Sequence, residues 1–567
     1  MNVSLHLSEL TFTSGKTLSL KPDSIVLFVG PNSSGKTQSL KDIWNHLTSS
    51  SESRGVSIVN STIVKSGDQL QFDDFIRQNS ITQNNKLIMS GMSISPPESV
   101  FRYWGRENPT SIGFMFAQFI RADTRFSAIQ ERKRINRSKE KPLYPLQALD
   151  FDPEIELKVS NSFSNVFQQH LMLDRGAGSV INLHVGNRPD HAINGGEFSP
   201  EYASEVRKQP DISTEGDGLK AAASLFLNIF AIPKSIHLID EPDVYLHPPQ
   251  AYAVAREMVD ISKDKQLFMA THNAHFVRGL LDANSERVLI VRLDRTESTQ
   301  SLKIIDSGVF RSIDADPLVR FSNLLEAIFY SKAIICENEA DCLFYRNLCR
   351  AINPLENDNE IFWLSAHGKQ NIQKFVSILR KLGLGVISIP DLDIINNLKN
   401  LRSLFESHGG EWEDILEEYK TLSRLMKERK PTVSAKDISM KITSILHDMP
   451  TDAQEIFPYK TEREIRNAMR EVSPWREIKE NGISAFGRGK NKVAAQNLLD
   501  KMKNHGILVP HVGEMESFYA QSPNHGMAWV NDVLRCDILR DEELSEARKF
   551  GKVIIRKWTN NKSGPVE

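Results

Sequence analysis

The sequence predicts an α/β fold in two successive parts, and three observations predict it. An apolar, β-rich run, Ser24-Ile25-Val26-Leu27-Phe28-Val29, leads directly into Gly30-Pro31-Asn32-Ser33-Ser34-Gly35-Lys36-Thr37, and a helical stretch follows from Lys36. A second short apolar strand, Ser235 to Ile239, ends in Asp240-Glu241. Beyond residue 330, two more apolar strands end in acids, at Glu337 and at Asp391-Leu392-Asp393. Strands alternating with helices, with chemistry at the strand ends, belong to parallel sheets.

Residues 30–37 fit G-x-x-x-x-G-K-[ST] at every fixed position. After a strand and before a helix, the backbone N–H groups of Gly30, Asn32, Ser33, Ser34 and Gly35 cradle phosphates. Lys36 would reach the β- and γ-phosphates of ATP, and Thr37 would bind Mg²⁺. Asp240, at the end of its strand, would hold the same Mg²⁺. Glu241 beside it would polarise the attacking water, since the chemistry needs a metal ligand and a base side by side.

Two further pieces follow in order. Ser213-Thr214-Glu215-Gly216-Asp217-Gly218 precedes an Ala/Leu-rich helix, and Leu267-Phe268-Met269-Ala270-Thr271 is a strand ending in His272. The first resembles the signature motif of ABC-type ATPases, which caps ATP across a dimer. The resemblance implies nucleotide contacts for Ser213 and Gly216 and a γ-phosphate switch role for His272. Glu241-Pro242-Asp243-Val244-Tyr245-Leu246-His247-Pro248 resembles the corresponding run of DNA-repair and phage-defence ABC ATPases. Gln118 is assigned as the Q-loop glutamine.

Composition narrows the classes. The chain has 567 residues and a formal net charge of −2, so no global basic field advertises nucleic acid, although a local groove is open. The basic run at 126–145 reads as a solvated face, with DNA contact as the alternative. Cys336, Cys342, Cys349 and Cys536 lack C-x-x-C spacing, which argues against a zinc ribbon or a disulfide framework and fits reduced thiols in a cytoplasm. No run of about 18 apolar residues predicts a membrane span, and the N-terminus lacks a signal-peptide pattern. No sustained heptads appear, which argues against a long coiled-coil arm.

The expected organisation is an ATPase part at 1–125, an inserted helical or dimerisation subdomain at 126–210, a second ATPase part at 211–318 and a second domain at 330–567. Residues 45–110 read as short strands and loops, 151–175 as helical, 176–212 as a hairpin or loop insertion, and 296–318 as a polar linker. Residues 400–480 read as a charged helical insertion.

In the second domain, Glu337, Asp391 and Asp393 share one sheet edge. Hard oxygen ligands grouped this way suit Mg²⁺ or Mn²⁺, and two such ions could clamp a phosphodiester. The pattern resembles the Toprim fold, with Ala366-His367-Gly368-Lys369-Gln370-Asn371 as its Gly-containing loop. Toprim domains carry Glu-Gly at the first motif; here Asn338 replaces the Gly, and Asn tolerates the left-handed region better than most residues. Asp341 joins the metal ligands in this reading. Glu516, in Gly513-Glu514-Met515-Glu516, takes the family's late metal-binding position. Lys490 and Lys492 read as a solvated loop, with phosphate binding as the alternative.

An ABC-type P-loop ATPase head followed by a Toprim (Rossmann-like) domain resembles the OLD (overcoming lysogenization defect) family of nucleases, whose relatives include the Gabija nuclease subunit and effectors of retron defence systems. The resemblance implies an ATP-regulated, metal-dependent endonuclease in antiphage defence. DNA is the first expected substrate and RNA the second. It also implies a homodimer through the ATPase heads or a higher assembly, and a defence partner protein or ribonucleoprotein. The rival expectations are an ATP-driven sensor whose Toprim-like domain binds without cutting, and a DNA-repair ATPase.

Overall fold

The computed structural model describes residues 3–49, 55–89, 92–95, 97–106, 110–137, 140–176, 178–190, 198–232, 234–295, 300–320, 322–354, 360–428, 434–448, 457–470, 478–479 and 481–560. The chain divides into two compact units, Met1–Asp316 and Pro317–Glu567.

The first unit is built on a six-stranded sheet. Its order is Gln300–Ile305, Val288–Arg295, Ile25–Val29, Gln266–Ala270, Ile236–Asp240 and Ala117–Ile120. Neighbours pair in parallel except at the Gln300–Ile305 edge, which is antiparallel. Central strands of such a sheet are covered on both faces, which is why Ile25–Val29 and Gln266–Ala270 are buried at every position. The register places Asp240 opposite Ala270 and Ala270 opposite Phe28. Residues 30–37, 240–241 and 271–272 therefore leave the sheet at one edge.

A second, antiparallel sheet joins Thr17–Ser19, Ser4–Phe12 and Ile58–Ser66. Leu5, Leu7, Leu10 and Phe12 point inward and share a core with Phe72, Trp104 and Phe116. Here helices occupy part of the region expected as short strands and loops. Gln69–Asn79 starts at a capping box between Asp68 and Gln71 and buries Phe72 and Ile76; Glu98–Trp104 buries Val100 and Trp104. The Asp-x-x-Gln signature was present in the sequence and is the local cause of that helix.

The helical periodicity at 151–175 is also cut short. The helix Pro153–Phe167 ends at Gln168, which takes φ +57, and the strand His170–Leu173 follows. That strand pairs with Leu183–Gly186, and Pro200–Arg207 is a helix capped by Ser199. Residues 191–197 of the expected loop lie outside the described residues. The Pro153–Phe167 helix packs against helices Asp217–Ala231 and Pro248–Ile261. Residues 300–315, expected as linker, form the edge strand and the helix Ser307–Ala315. Val309, Phe310 and Ile313 give that helix a buried face.

A buried ion network ties residues 134–188 together. Arg175 pairs with Glu156 and lies 3.6 Å from Asp150, with all three side chains nearly inaccessible. Arg134 and Arg137 also approach Asp150, and Arg188 approaches Glu156.

The second unit centres on three parallel strands, with Lys332–Cys336 between Ile361–Ser365 and Gly385–Ile389. Ile507 continues the sheet by a parallel bridge to Ser388. Phe344, Tyr345, Phe518, Trp529 and Phe550 form the centre of its core. The helices Leu398–Ser407, Leu416–Glu428, Ala435–His447 and Tyr459–Arg470 occupy the expected helical insertion. Among the described residues, no helix is long and apolar enough to cross a membrane.

Breaking a buried ion pair from one side leaves an uncompensated charge, at a cost of about 3–5 kcal/mol. Arg175→Met is expected to lower the stability of the first unit toward the lower end of that range, because Arg134 and Arg188 remain. Urea titration of the purified variant measures it.

Candidate nucleotide and metal centres

The loop after Ile25–Val29 is shaped by backbone that few side chains permit. Gly30 takes φ +139, and a Cβ there would meet Leu293 O at 2.0 Å, so only glycine fits. Lys36 opens the helix Lys36–Thr48 and folds back, donating from Nζ to Gly30 O (2.9 Å) and Pro31 O (2.7 Å). Burial lowers its pKa to about 8, against the opposing pull of Glu241 and Asp240. Asn32, Ser33, Ser34 and Gly35 complete the loop, with Ser33 at φ +61.

Thr37 Oγ1 donates to Asp240 Oδ1 at 3.0 Å, joining the loop to the neighbouring acid strand. Glu241 turns the chain with φ +50, and its N–H donates to Ala270 O at 2.9 Å. Its pKa is pushed up to about 7 by burial, then by Asp243 and Asp240. His272 Nε2 lies 3.6 Å from Glu241 Oε1. Burial and then Lys36 lower the His272 pKa to about 4, so the imidazole is neutral at pH 7. Asp243, on the same turn, accepts from Thr271 Oγ1 at 2.5 Å.

Arg125 holds this turn and was not singled out by the motifs. Its buried guanidinium donates to Asp240 O (2.8 Å), Glu241 O (2.7 Å) and Pro242 O (3.4 Å). The Arg121-to-Arg125 run at the end of an apolar segment was the available signal, but nothing in it marked which arginine turns inward.

Gln118 is not brought to this edge. It sits in mid-strand opposite His237, and its Nε2 donates to Asn228 Oδ1 at 2.5 Å. The end of its strand, Ile120, is what reaches the level of Ile239. Ser213 and Gly216 lie at the exposed start of helix Asp217–Ala231. Ser213 Oγ donates to Asp211 Oδ1 at 2.6 Å, and Gly216 is the N-cap. Among the described residues, no hydrogen bond joins either to Lys36, Thr37, Asp240 or Glu241.

In the second unit the register sets Cys336 opposite Ile389, so Glu337 and Asp391 follow at one level. Ligand oxygens of Glu337, Asp391 and Asp393 all lie within 4.8 Å of one another. Glu337 Oε2 and Asp393 Oδ1 are buried without a hydrogen-bond partner. Burial, then Asp393, raises the Glu337 pKa; burial, then Glu337 and Asp341, holds that of Asp391 well above the carboxylate range. Crowded, buried, unsatisfied carboxylate oxygens fit a divalent cation with hard-ligand preference.

Asp341 does not join this group. Its Oδ2 accepts the Asn338 N–H at 2.9 Å in a capping box that starts helix Glu339–Ile352. Asn338 has φ −132, so the expected left-handed turn is absent; the residue is a helix cap, a role in which Asn excels. Burial pushes Asp341 up to about 7, against the Asn338 N–H. Glu516 belongs to a separate group with Glu514 and His525, whose ligand atoms also lie within 4.8 Å of one another.

Two lysines to which the sequence assigned no role approach these acids. Lys369 Nζ pairs with Asp393 Oδ2 at 2.6 Å. Lys479 Nζ lies 3.3 Å from Glu514, 3.5 Å from Asp393 and 3.7 Å from Asp391. Burial opposes the Lys479 ammonium, but Asp393, Asp391 and Glu514 outweigh it and its pKa is raised. Lys369 stood inside the Gly-containing loop; Lys479 stood in polar sequence without a pattern.

Two family models match the chain. One, described as an AAA domain, putative AbiEii toxin, Type IV TA system, matches residues 96–278 and so begins after the phosphate loop. The other, described as overcoming lysogenization defect protein-like, TOPRIM domain, matches residues 328–393. The Old nuclease of Escherichia phage P2 is 21% identical over 346 residues, covering 56% of this chain and 52% of its own. Endonuclease GajA of Bacillus cereus (strain VD045) is 22% identical over 255 residues, covering 43% of this chain and 42% of its own. The chain spans about half the length of these curated relatives. Among solved structures, the SMC head domain from Thermotoga maritima aligns with 54% of this chain and 100% of its own, at 13% identity and a TM-score of 0.29. The two centres and the two domain matches define a P-loop ATPase joined to a Toprim domain. Within that class the chain is similar to the overcoming-lysogenization-defect family, through the TOPRIM match at residues 328–393 and the two nuclease relatives.

The capping role of Asn338 makes a prediction that separates it from a damaged glycine turn. Asn338→Ala should cost about 1 kcal/mol in the second unit, and Asn338→Gly only a few tenths. Denaturant titration of both variants checks the order.

Proposed function

We propose that the chain is an ATP-regulated, metal-dependent endonuclease with an antiphage role, acting on DNA in the cytoplasm. One observation carries the reading. At a Toprim sheet edge, Glu337 and Asp393 each keep a buried carboxylate oxygen without a partner, beside Asp391. The relatives named a nuclease and an endonuclease support the reaction class.

Glu337, Asp391 and Asp393 would hold Mg²⁺ or Mn²⁺, which supplies Lewis-acid polarisation of phosphate and water. Lys369 and Lys479 temper the repulsion among the acids and keep them convergent. In the first unit, Lys36 would hold the β- and γ-phosphates of ATP, and Thr37 with Asp240 its Mg²⁺. Glu241 takes the proton of the attacking water, and neutral His272 accepts or donates a hydrogen bond beside it. Arg125 keeps the Glu241 turn in place. The exposed Ser213–Gly216 turn, at a helix N-terminus, supports capping of a second chain's nucleotide and hence a dimer of heads. The reading without cleavage rested on Asn338, and a helix cap gives it no support.

The deciding experiment is cleavage of supercoiled and linear DNA by the purified chain with Mg²⁺ or Mn²⁺, with and without ATP. Cutting should disappear in Asp391→Ala, while Lys36→Ala should alter only its response to ATP. Cutting that persists in Asp391→Ala would refute the assignment of the centre.

ATP hydrolysis should depend on pH through Glu241. Its raised pKa of about 7 means the carboxylate, the form that accepts a proton, is lost as pH falls through 7. Hydrolysis is expected to fall about tenfold per unit below that pH, and Glu241→Gln should abolish it across the range. Steady-state phosphate release from pH 5.5 to 8.5 measures both.

A further inference from the structure

The strand Ala117–Ile120 lies at one edge of the six-stranded sheet, beside Ile236–Asp240. Their register pairs Ile120 with Ile239, so the next residue, Arg121, comes level with Asp240. Gln118 stands too early for that place, in mid-strand, with its amide held by Asn228. The side chain that this strand delivers beside Asp240 is therefore Arg121.

The backbone of Arg121 is fixed on both sides. The strand holds it on one. On the other, the Thr124 N–H donates to Arg121 O at 3.3 Å and closes a turn. Buried Arg125 follows and grips the carbonyl oxygens of Asp240, Glu241 and Pro242. The Arg121 guanidinium is held less firmly. It pairs with Asp123 at 2.8 Å, and the two side chains are 54% and 60% exposed. An ion pair so exposed is weak, and a phosphate can displace its carboxylate.

The neighbouring cations have other places. Arg125 is spent on the turn, and Lys36 is folded onto Gly30 O and Pro31 O. Lys41 sits one helical turn beyond Thr37, about 5.4 Å farther along the axis from the phosphate loop. Burial raises the Asp240 pKa, and the Thr37 hydrogen bond and the charges of Lys41, Arg125 and Arg121 oppose it. The Arg121 charge thus reaches the carboxylate beside which the terminal phosphate of ATP would lie. The Mg²⁺ complex of ATP keeps a net negative charge, so a guanidinium is attracted there even with the ion bound.

We propose that Arg121 binds the γ-phosphate of ATP and gives up Asp123 to do so. The proposal rests on reading this edge as the ATPase centre. A guanidinium fork matches two phosphate oxygens, and ADP offers it no γ-phosphate. Arg121 is then the group by which the first unit tells ATP from ADP. It also stabilises the charge on the phosphoryl group in transfer.

Fluorescence titration of the purified full chain with mant-AMPPNP and with mant-ADP, each with Mg²⁺, tests it beside steady-state phosphate release from ATP. Arg121→Ala should weaken mant-AMPPNP binding about tenfold, the loss of one charge-assisted contact, and leave that of mant-ADP within about twofold. Its kcat for hydrolysis should fall roughly 100-fold, and Arg121→Lys should restore part of both. Asp123→Asn should bind mant-AMPPNP at least as tightly as the unaltered chain. Should Arg121→Ala fail to fold, Arg121→Gln takes its place. An affinity ratio between the two nucleotides that Arg121→Ala leaves unchanged would overturn the proposal. So would an equal loss in Asp123→Asn, which would give the pair a structural role, or hydrolysis by Arg121→Ala at full rate. Hydrolysis that survives Lys36→Ala would instead refute the ATPase-centre reading beneath it.

Discussion

Parallel strands that end in acids at the same level force negative charge into a small, dry space. Glu337, Asp391 and Asp393 meet this condition in the second unit; in the first, Asp240, Glu241 and Asp243 crowd at the end of one strand and the turn after it. Desolvation penalises each ionised form and the neighbours add to the penalty. The remaining architecture of both centres answers that repulsion. In the first unit the Lys36 ammonium, folded onto Gly30 O and Pro31 O, lies in the field of Glu241 and Asp240, and Arg125 takes the carbonyl oxygens of the turn itself. In the second, Lys369 and Lys479 approach from two segments far apart in the chain.

The first unit shows how such crowding becomes useful. Glu241 is left with a pKa of about 7, and His272 with one of about 4. The pair is thus a carboxylate that titrates near neutrality beside an imidazole that stays uncharged. The lowered pKa of the imidazole disfavours an ion pair between them at neutral pH, which suits the proton-accepting role proposed for the carboxylate. The left-handed backbone at Glu241 costs of order 1 kcal/mol; the Arg125 hydrogen bonds hold it there.

Much of both centres could be read from the chain because each motif is contiguous with the strand that carries it. Lys36, Thr37, Asp240 and Glu241 follow apolar runs directly, and so do Glu337, Asp391 and Asp393; a parallel register does the rest. Residues whose place depends on tertiary packing were not legible. Gln118 fits no local constraint, and its amide is taken by Asn228 from a helix more than a hundred residues on. Lys479 arrives after the helical insertion, from sequence with no period. Asn338 was visible but misread: the Asn-x-x-Asp spacing is a capping box, and the helix start, not a tight turn, explains it. Similarly, the helix Gln69–Asn79 announced itself only through Asp68 and Gln71.

The helical insertion leaves the sheet edge just after Asp393 and comes back at Lys479, where Gly513 and Ser517 grip the returning backbone. Its departure and its return are thus both anchored at the acid edge, while the Ala435–His447 helix between them buries none of its side chains. The helices Leu398–Ser407 and Leu416–Glu428 are packed down, with Leu401, Leu404, Phe405, Leu422 and Met426 buried, so it is the Ala435–His447 helix whose side chains can be rewritten with little consequence for the chemistry at the base. That helix is therefore the part of the insertion free to carry a surface of its own, one that can diverge while the charges beneath it stay in register.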